Sequence, residues 1–189
     1  MQSEVIFAGF GGQGVLFSGQ ILAFAGMDSG KEVAWMPSYG PEMRGGTANC
    51  TVVIADEEIG SPYVRNPQAA VIMNLPSLDK YESQIASGGA LIVNASMVNR
   101  EVQRTDLDVV MIPAQEIAES IGNRRLMNIV MLGALLQIKA ILPLDERINV
   151  CDTCPIPRKT SNRCFRWWAR RIWTHCFPAF PTTAAERSR

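Results

Sequence analysis

Histidine is almost missing from this chain: there is one in 189 residues, His175, and none before it. The first 148 residues therefore lack the commonest general base and metal ligand. Cysteine is as scarce there, Cys50 being the only one of five to precede residue 149. No metal-ligand spacing and no nucleophile–base pair can be written for that segment, and Glu42 and Glu116 lie too far apart in sequence to be paired as acid and base. An independent enzyme is not expected, and Cys50, in an alternating strand pattern, reads as a small buried hydrophobe. Also missing are a run of about 18 apolar residues and a basic segment followed by an apolar core, so neither a membrane span nor a secretory leader is expected and the location reads as cytoplasmic. The formal net charge is zero.

That zero conceals two compositions. Up to Ile148 there are 10 Lys+Arg against 16 Asp+Glu, or −6, and from Asn149 onward 8 against 2, or +6. With 47% hydrophobic residues the chain can bury one sizeable core, a domain of about 150 residues plus a remainder. Apolar runs at Glu4–Ala8, Glu32–Met36, Thr47–Ala55, Ala69–Met73, Ala90–Asn94 and Asp108–Pro113 read as strands. Helical spacing follows Gly14, spans Leu78–Ile85, and resumes at Ala114–Ser120 and Arg125–Ala140. This alternation predicts a three-layer α/β/α sandwich with a mainly parallel sheet and a Rossmann-like start. Gly9, Asn74, Asn94 and Pro113 would then close strands along one edge, with Asn74 and Asn94 capping the helices that follow.

Two motifs stand out against this frame. In the first, Gly9, Gly11, Gly12, Gln13 and Gly14 turn a buried strand into a helix, which fits either phosphate cradling or close backbone packing. A dinucleotide site wants an acid at the tip of the second strand, but Glu32–Met36 runs into Pro37 and Ser38 instead, which counts against NAD and FAD and against a stand-alone nucleotide-binding module. The turn could still face another anion. The second motif, residues 37–46, packs two prolines, three glycines, Tyr39, Glu42 and Arg44 between two strand-like runs. It reads as a stiff, bent loop, with Gly45 and Gly46 permitting positive φ, that offers Tyr39, Glu42 and Arg44 to a neighbour. Asn123 precedes the last long helix and reads as its cap or as an interface residue.

Taken together, AGFGGQGV and PSYGPEMRGGTANC resemble the gamma subunits of the 2-oxoacid:ferredoxin oxidoreductases, most closely the 2-oxoglutarate branch, over residues 4 to 148. The resemblance implies a non-catalytic subunit of a complex that makes acyl-CoA, CO2 and reduced ferredoxin. Thiamine diphosphate and iron–sulfur clusters would sit on sister subunits, with none on this chain. It further implies alpha and beta partners, a delta subunit in some complexes, and ferredoxin reached through the assembly. The glycine turn and the Tyr39–Gly46 loop, with Asn123, would face a sister subunit or coenzyme A.

Residues 149–189 do not fit that family. They carry Cys151, Cys154, Cys164, His175 and Cys176 in a poor zinc spacing, and Trp167, Trp168 and Trp173 among basic residues. A metal site or a nucleic-acid-binding extension would each explain part of this. The abrupt change of composition reads instead as a frameshifted or disordered end, so no metal, nucleic acid or membrane partner is expected.

Overall fold

The computed structural model describes residues 1–39 and 46–142. Six strands form one sheet: β1 (Gln2–Phe10), β2 (Glu32–Tyr39), β3 (Thr47–Ala55), β4 (Ala69–Ile72), β5 (Ala90–Asn94) and β6 (Asp108–Ile112). Four helices connect them: α1 (Val15–Asp28), α2 (Leu75–Tyr81), α3 (Ala114–Ser120) and α4 (Met127–Ile138).

The spatial order is β2-β3-β1-β4-β5-β6. β1, β4, β5 and β6 run parallel, whereas β3 is antiparallel to both β1 and β2. The expected α/β fold is present, with a mixed sheet whose parallel part holds four strands. β4 and β5 are buried at every position, which is why they read as unbroken apolar runs rather than alternations. Cover comes from both sides. One core joins Val5, Phe7, Val71 and Ile92 to α1, α3 and α4, and a smaller one joins Ile6, Ile72, Leu91 and Val93 to α2. The layers are therefore helix, sheet and helix.

Pro37 lies inside β2 rather than in a loop, opposite Cys50 of β3. β2 is the terminal strand in the order, the place where a residue without an N–H costs no ladder bond on the outer side. The expected ten-residue loop thus begins later: Pro37, Ser38 and Tyr39 continue the strand. Expectations for residues 40–45 and 143–189 lie outside the described residues.

One polar device had no counterpart in the sequence reading. Glu82, 6% exposed, sits in the 3-10 turn Glu82–Gln84 after α2. It accepts from Arg100 Nη2 at 2.7 Å and from the backbone N–H of Gln103 and Arg104 at 2.5 and 3.0 Å. The Arg104 guanidinium donates to the Glu82 and Ile85 carbonyls and pairs with Asp106. Burial raises the pKa of Glu82, but the Arg100 bond and the two amides outweigh it and hold the carboxyl below its usual range. This clamp fastens the β5–β6 connection to the turn that follows α2.

Candidate functional site

β1 delivers the glycine turn to the carboxyl edge of the parallel strands, and β3 brings the second motif to the same place. Gly9 lies opposite Ala48 and Phe10 opposite Thr47. Beyond the ladder, Gly11 N–H donates to the Gly46 carbonyl at 2.9 Å. The two motifs are therefore parts of one surface, joined by a backbone bond.

Within the turn, packing accounts for two of the glycines. A Cβ on Gly9 would fall 2.5 Å from Gln13 Oε1, 2.7 Å from Met73 Cβ and 2.9 Å from Val15 Cγ2. One on Gly14 would lie 2.6 Å from Asn128 Nδ2, and the φ of 77° there also favours glycine. Gly12 differs: its φ is 97°, it is exposed, and an added Cβ would meet nothing within 4 Å. Several amides already have protein partners, since Phe10 N–H donates to Gln13 Oε1 at 2.7 Å and Gln13 N–H to the Phe10 carbonyl at 3.2 Å. Gln13 is thus the brace of the turn, and Gly12 is a position with open space around it.

α4 closes the site from behind through a residue that sequence reasoning passed over. Asn128, 4% exposed, donates from Nδ2 to the Gly14 carbonyl at 3.3 Å, and Ser18 Oγ lies 3.2 Å from the Asn128 carbonyl. Its signal was an amide near the start of the apolar run MNIVMLGALLQI, which holds one other, Gln137. Asn123 does something more local. Its Oδ1 accepts from Arg125 N–H at 3.1 Å, the cap of the 3-10 turn Arg124–Leu126 that leads into α4. The described contacts do not link Asn123 to the glycine turn. Of the loop residues, Tyr39 ends β2 and Gly46 meets Gly11; Glu42, Arg44 and Gly45 lie outside the described residues.

The topology also moves the nucleotide criterion to a different strand. β2 is not beside β1; the parallel neighbour of β1 is β4, and β4 leads into Asn74. That residue caps α2, with Oδ1 accepting from Ser77 N–H at 3.0 Å. No carboxylate stands at this tip, the strand end at which a ribose-binding acid would be sought. Asn94 closes a turn rather than capping a helix, accepting from Ser96 N–H at 3.2 Å, and Ser96 Oγ in turn donates to Glu116, lowering its pKa. Cys50 is fully buried in β3, and that burial pushes its thiol up to about 12, so it stays an inert packing group. Among the described residues there is no group of three His, Cys, Asp or Glu that could hold a metal ion. No described helix is long and apolar enough to cross a membrane.

Residues 4–150 match the family model described as pyruvate ferredoxin/flavodoxin oxidoreductase. The 2-oxoglutarate synthase subunit KorC of Methanocaldococcus jannaschii is 39% identical over 166 residues, covering 86% of this chain and 88% of that protein. The ketoisovalerate oxidoreductase subunit VorA of Methanothermobacter marburgensis is 42% identical over 143 residues, or 76% of this chain, but the match spans only 30% of that longer protein. Among solved structures, the gamma subunit of a keto/oxoacid ferredoxin oxidoreductase from Geobacter sulfurreducens has the same fold, with a TM-score of 0.72 at 24% identity over 89% of this chain and 94% of that one. A 2-oxoglutarate:ferredoxin oxidoreductase chain from Magnetococcus marinus reaches a TM-score of 0.80 at 20% identity, over 96% of this chain and 32% of that one. By sequence and by fold, the chain belongs to the pyruvate ferredoxin/flavodoxin oxidoreductase family.

Proposed function

We propose that this chain is the gamma subunit of a cytoplasmic 2-oxoacid:ferredoxin oxidoreductase, in which sister subunits convert a 2-oxoacid and coenzyme A to acyl-CoA, CO2 and reduced ferredoxin. The observation that carries the reading is the near full-length match to KorC. It also favours 2-oxoglutarate, the oxoacid in that relative's name. Thiamine diphosphate and the iron–sulfur cluster belong, on this reading, to the alpha and beta subunits, or to a delta subunit.

The role of this chain is to shape the assembly. Its glycine turn and the β2–β3 hairpin form one surface at the carboxyl edge of the sheet, and that surface faces a sister subunit or coenzyme A. Gly12 supplies the room there, and Arg44 supplies a planar guanidinium suited to a carboxylate or phosphate. The test is reconstitution. The purified chain, alone and with its candidate alpha and beta subunits, is assayed for viologen reduction with 2-oxoglutarate, pyruvate or ketoisovalerate and coenzyme A. Activity is expected only in the assembly and highest with 2-oxoglutarate. Turnover by the isolated chain would overturn the subunit reading, and preference for another oxoacid would overturn the substrate.

A further inference from the structure

α1 carries an apolar stripe on the side turned away from the sheet. Its inner side buries Val15, Ser18, Gly19, Ile21, Leu22, Ala23, Ala25 and Gly26. The opposite side presents half-buried Gln20 and exposed Phe24 and Met27, spaced at i, i+4 and i+7 and so aligned in one row, while Phe17, one turn earlier, packs against the main core. Phe24 is 43% exposed and Met27 59%. Two other helices are conventional by comparison: α2 turns Asp79 and Lys80 to solvent and α3 turns Glu116 and Glu119, whereas α4, also without charge, is buried along most of its length. α1 has no charged residue before Asp28 at its end, and a helix that is apolar all round belongs in an interior.

We propose that this stripe is the docking face for the catalytic sister subunit, a partner offering an apolar groove with a basic margin that meets exposed Asp28 and Glu32. The inference rests on the gamma-subunit reading. Three observations choose this occupant. First, the domain is free-standing in KorC but makes up only 30% of VorA and 32% of the Magnetococcus chain. Sequence that is a separate subunit in one relative and covalently attached in another identifies natural neighbours. Second, the family model matches residues 4–150, so α1 lies within the shared domain. A face inherited with the domain calls for a partner the family shares, not for this chain's own tail. Third, residues 1–148 carry a net charge of −6, which opposes the pairing of two copies through this domain.

The test uses the full chain co-expressed with its candidate alpha and beta subunits. Phe24→Asp and Met27→Asp are each expected to weaken co-assembly at least 30-fold, about the loss of one anchor residue at an interface centre, while the melting temperature of the isolated chain holds. Tyr63→Ser, at an 82% exposed site on another segment, is expected to assemble normally. Phe24→Ser serves if an Asp variant misfolds. Hydroxyl-radical footprinting adds a readout without mutation: Met27 is oxidised in the isolated chain and protected in the complex. Normal assembly of both variants, with Met27 still oxidised in the complex, overturns the docking face and leaves the subunit reading intact. No assembly of the unmodified chain overturns both. Protection of Met27 in the isolated chain also overturns the proposal, pointing to the tail if truncation after residue 148 removes it and to a second copy if dilution does.

Discussion

Replacing Gly9 by alanine separates the two roles a glycine turn can have. The added methyl would meet three groups below 3.0 Å: Gln13 Oε1, Met73 Cβ and Val15 Cγ2. Met73 is fully buried and Val15 is 2% exposed, so neither can retreat without disturbing the larger core. Gln13 can swing away, but it then gives up its 2.7 Å bond from Phe10 N–H. Overpacking costs about 1–3 kcal/mol and the lost hydrogen bond about 1 kcal/mol, for a total of about 2–4 kcal/mol. In a domain of this size that lowers the melting temperature by about 5–15 °C. Gly12→Ala is the companion variant. Its methyl meets nothing, so it costs only the backbone strain of a positive φ, about 1–2 kcal/mol. Urea unfolding of both variants, followed by far-UV circular dichroism, measures the difference. The expected pattern is a large stability loss for Gly9→Ala with assembly following stability, and a small loss for Gly12→Ala with a disproportionate effect on assembly or on the apparent KM for coenzyme A. If Gly9→Ala melts within about 2 °C of the parent, the packing account of this turn is wrong.

Glu82→Gln removes the buried carboxylate that Arg100 and two backbone amides address, and it should destabilise the fold by about 3 kcal/mol near neutral pH, as breaking a buried pair does. Because the folded-state pKa of Glu82 is lowered, its stabilisation is present above the ordinary carboxylate range and is lost as pH falls below it. The variant should therefore show a shallower acid limb in a plot of melting temperature against pH; a limb as steep as the parent's would remove Glu82 from the account. Arg44→Ala should weaken assembly or raise the apparent KM for coenzyme A without changing the melting temperature, and an unfolded variant would make Arg44 structural. Deleting residues 151–189 should leave the domain folded and more soluble, by size exclusion and thermal melting; a stoichiometric zinc in the full chain together with a lower melting temperature on truncation would show the tail to be a folded element.

The sequence by itself determined the local pieces of this protein. Apolar runs located the six strands, Gly14 marked the start of α1, and Ala114–Ser120 was read with the bounds that the structure has. The carboxyl-edge positions of Gly9, Asn74, Asn94 and Pro113 also followed, because parallel strands alternating with helices admit few other arrangements. Only the tertiary structure decided who neighbours whom. β3 separates β2 from β1, which made the β2 tip the wrong place to look for a ribose-binding acid. Periodicity reports that a face is buried, not which strand lies against it. Pro37 was read as loop because proline breaks most ladders, yet an edge strand accommodates it. The Asn128–Gly14 bond spans 114 residues, and the Glu82 clamp gathers groups 18 to 22 residues away. Such contacts carry no local pattern, because each side chain is ordinary where it stands in the chain and acquires its role only from the groups that folding brings to it.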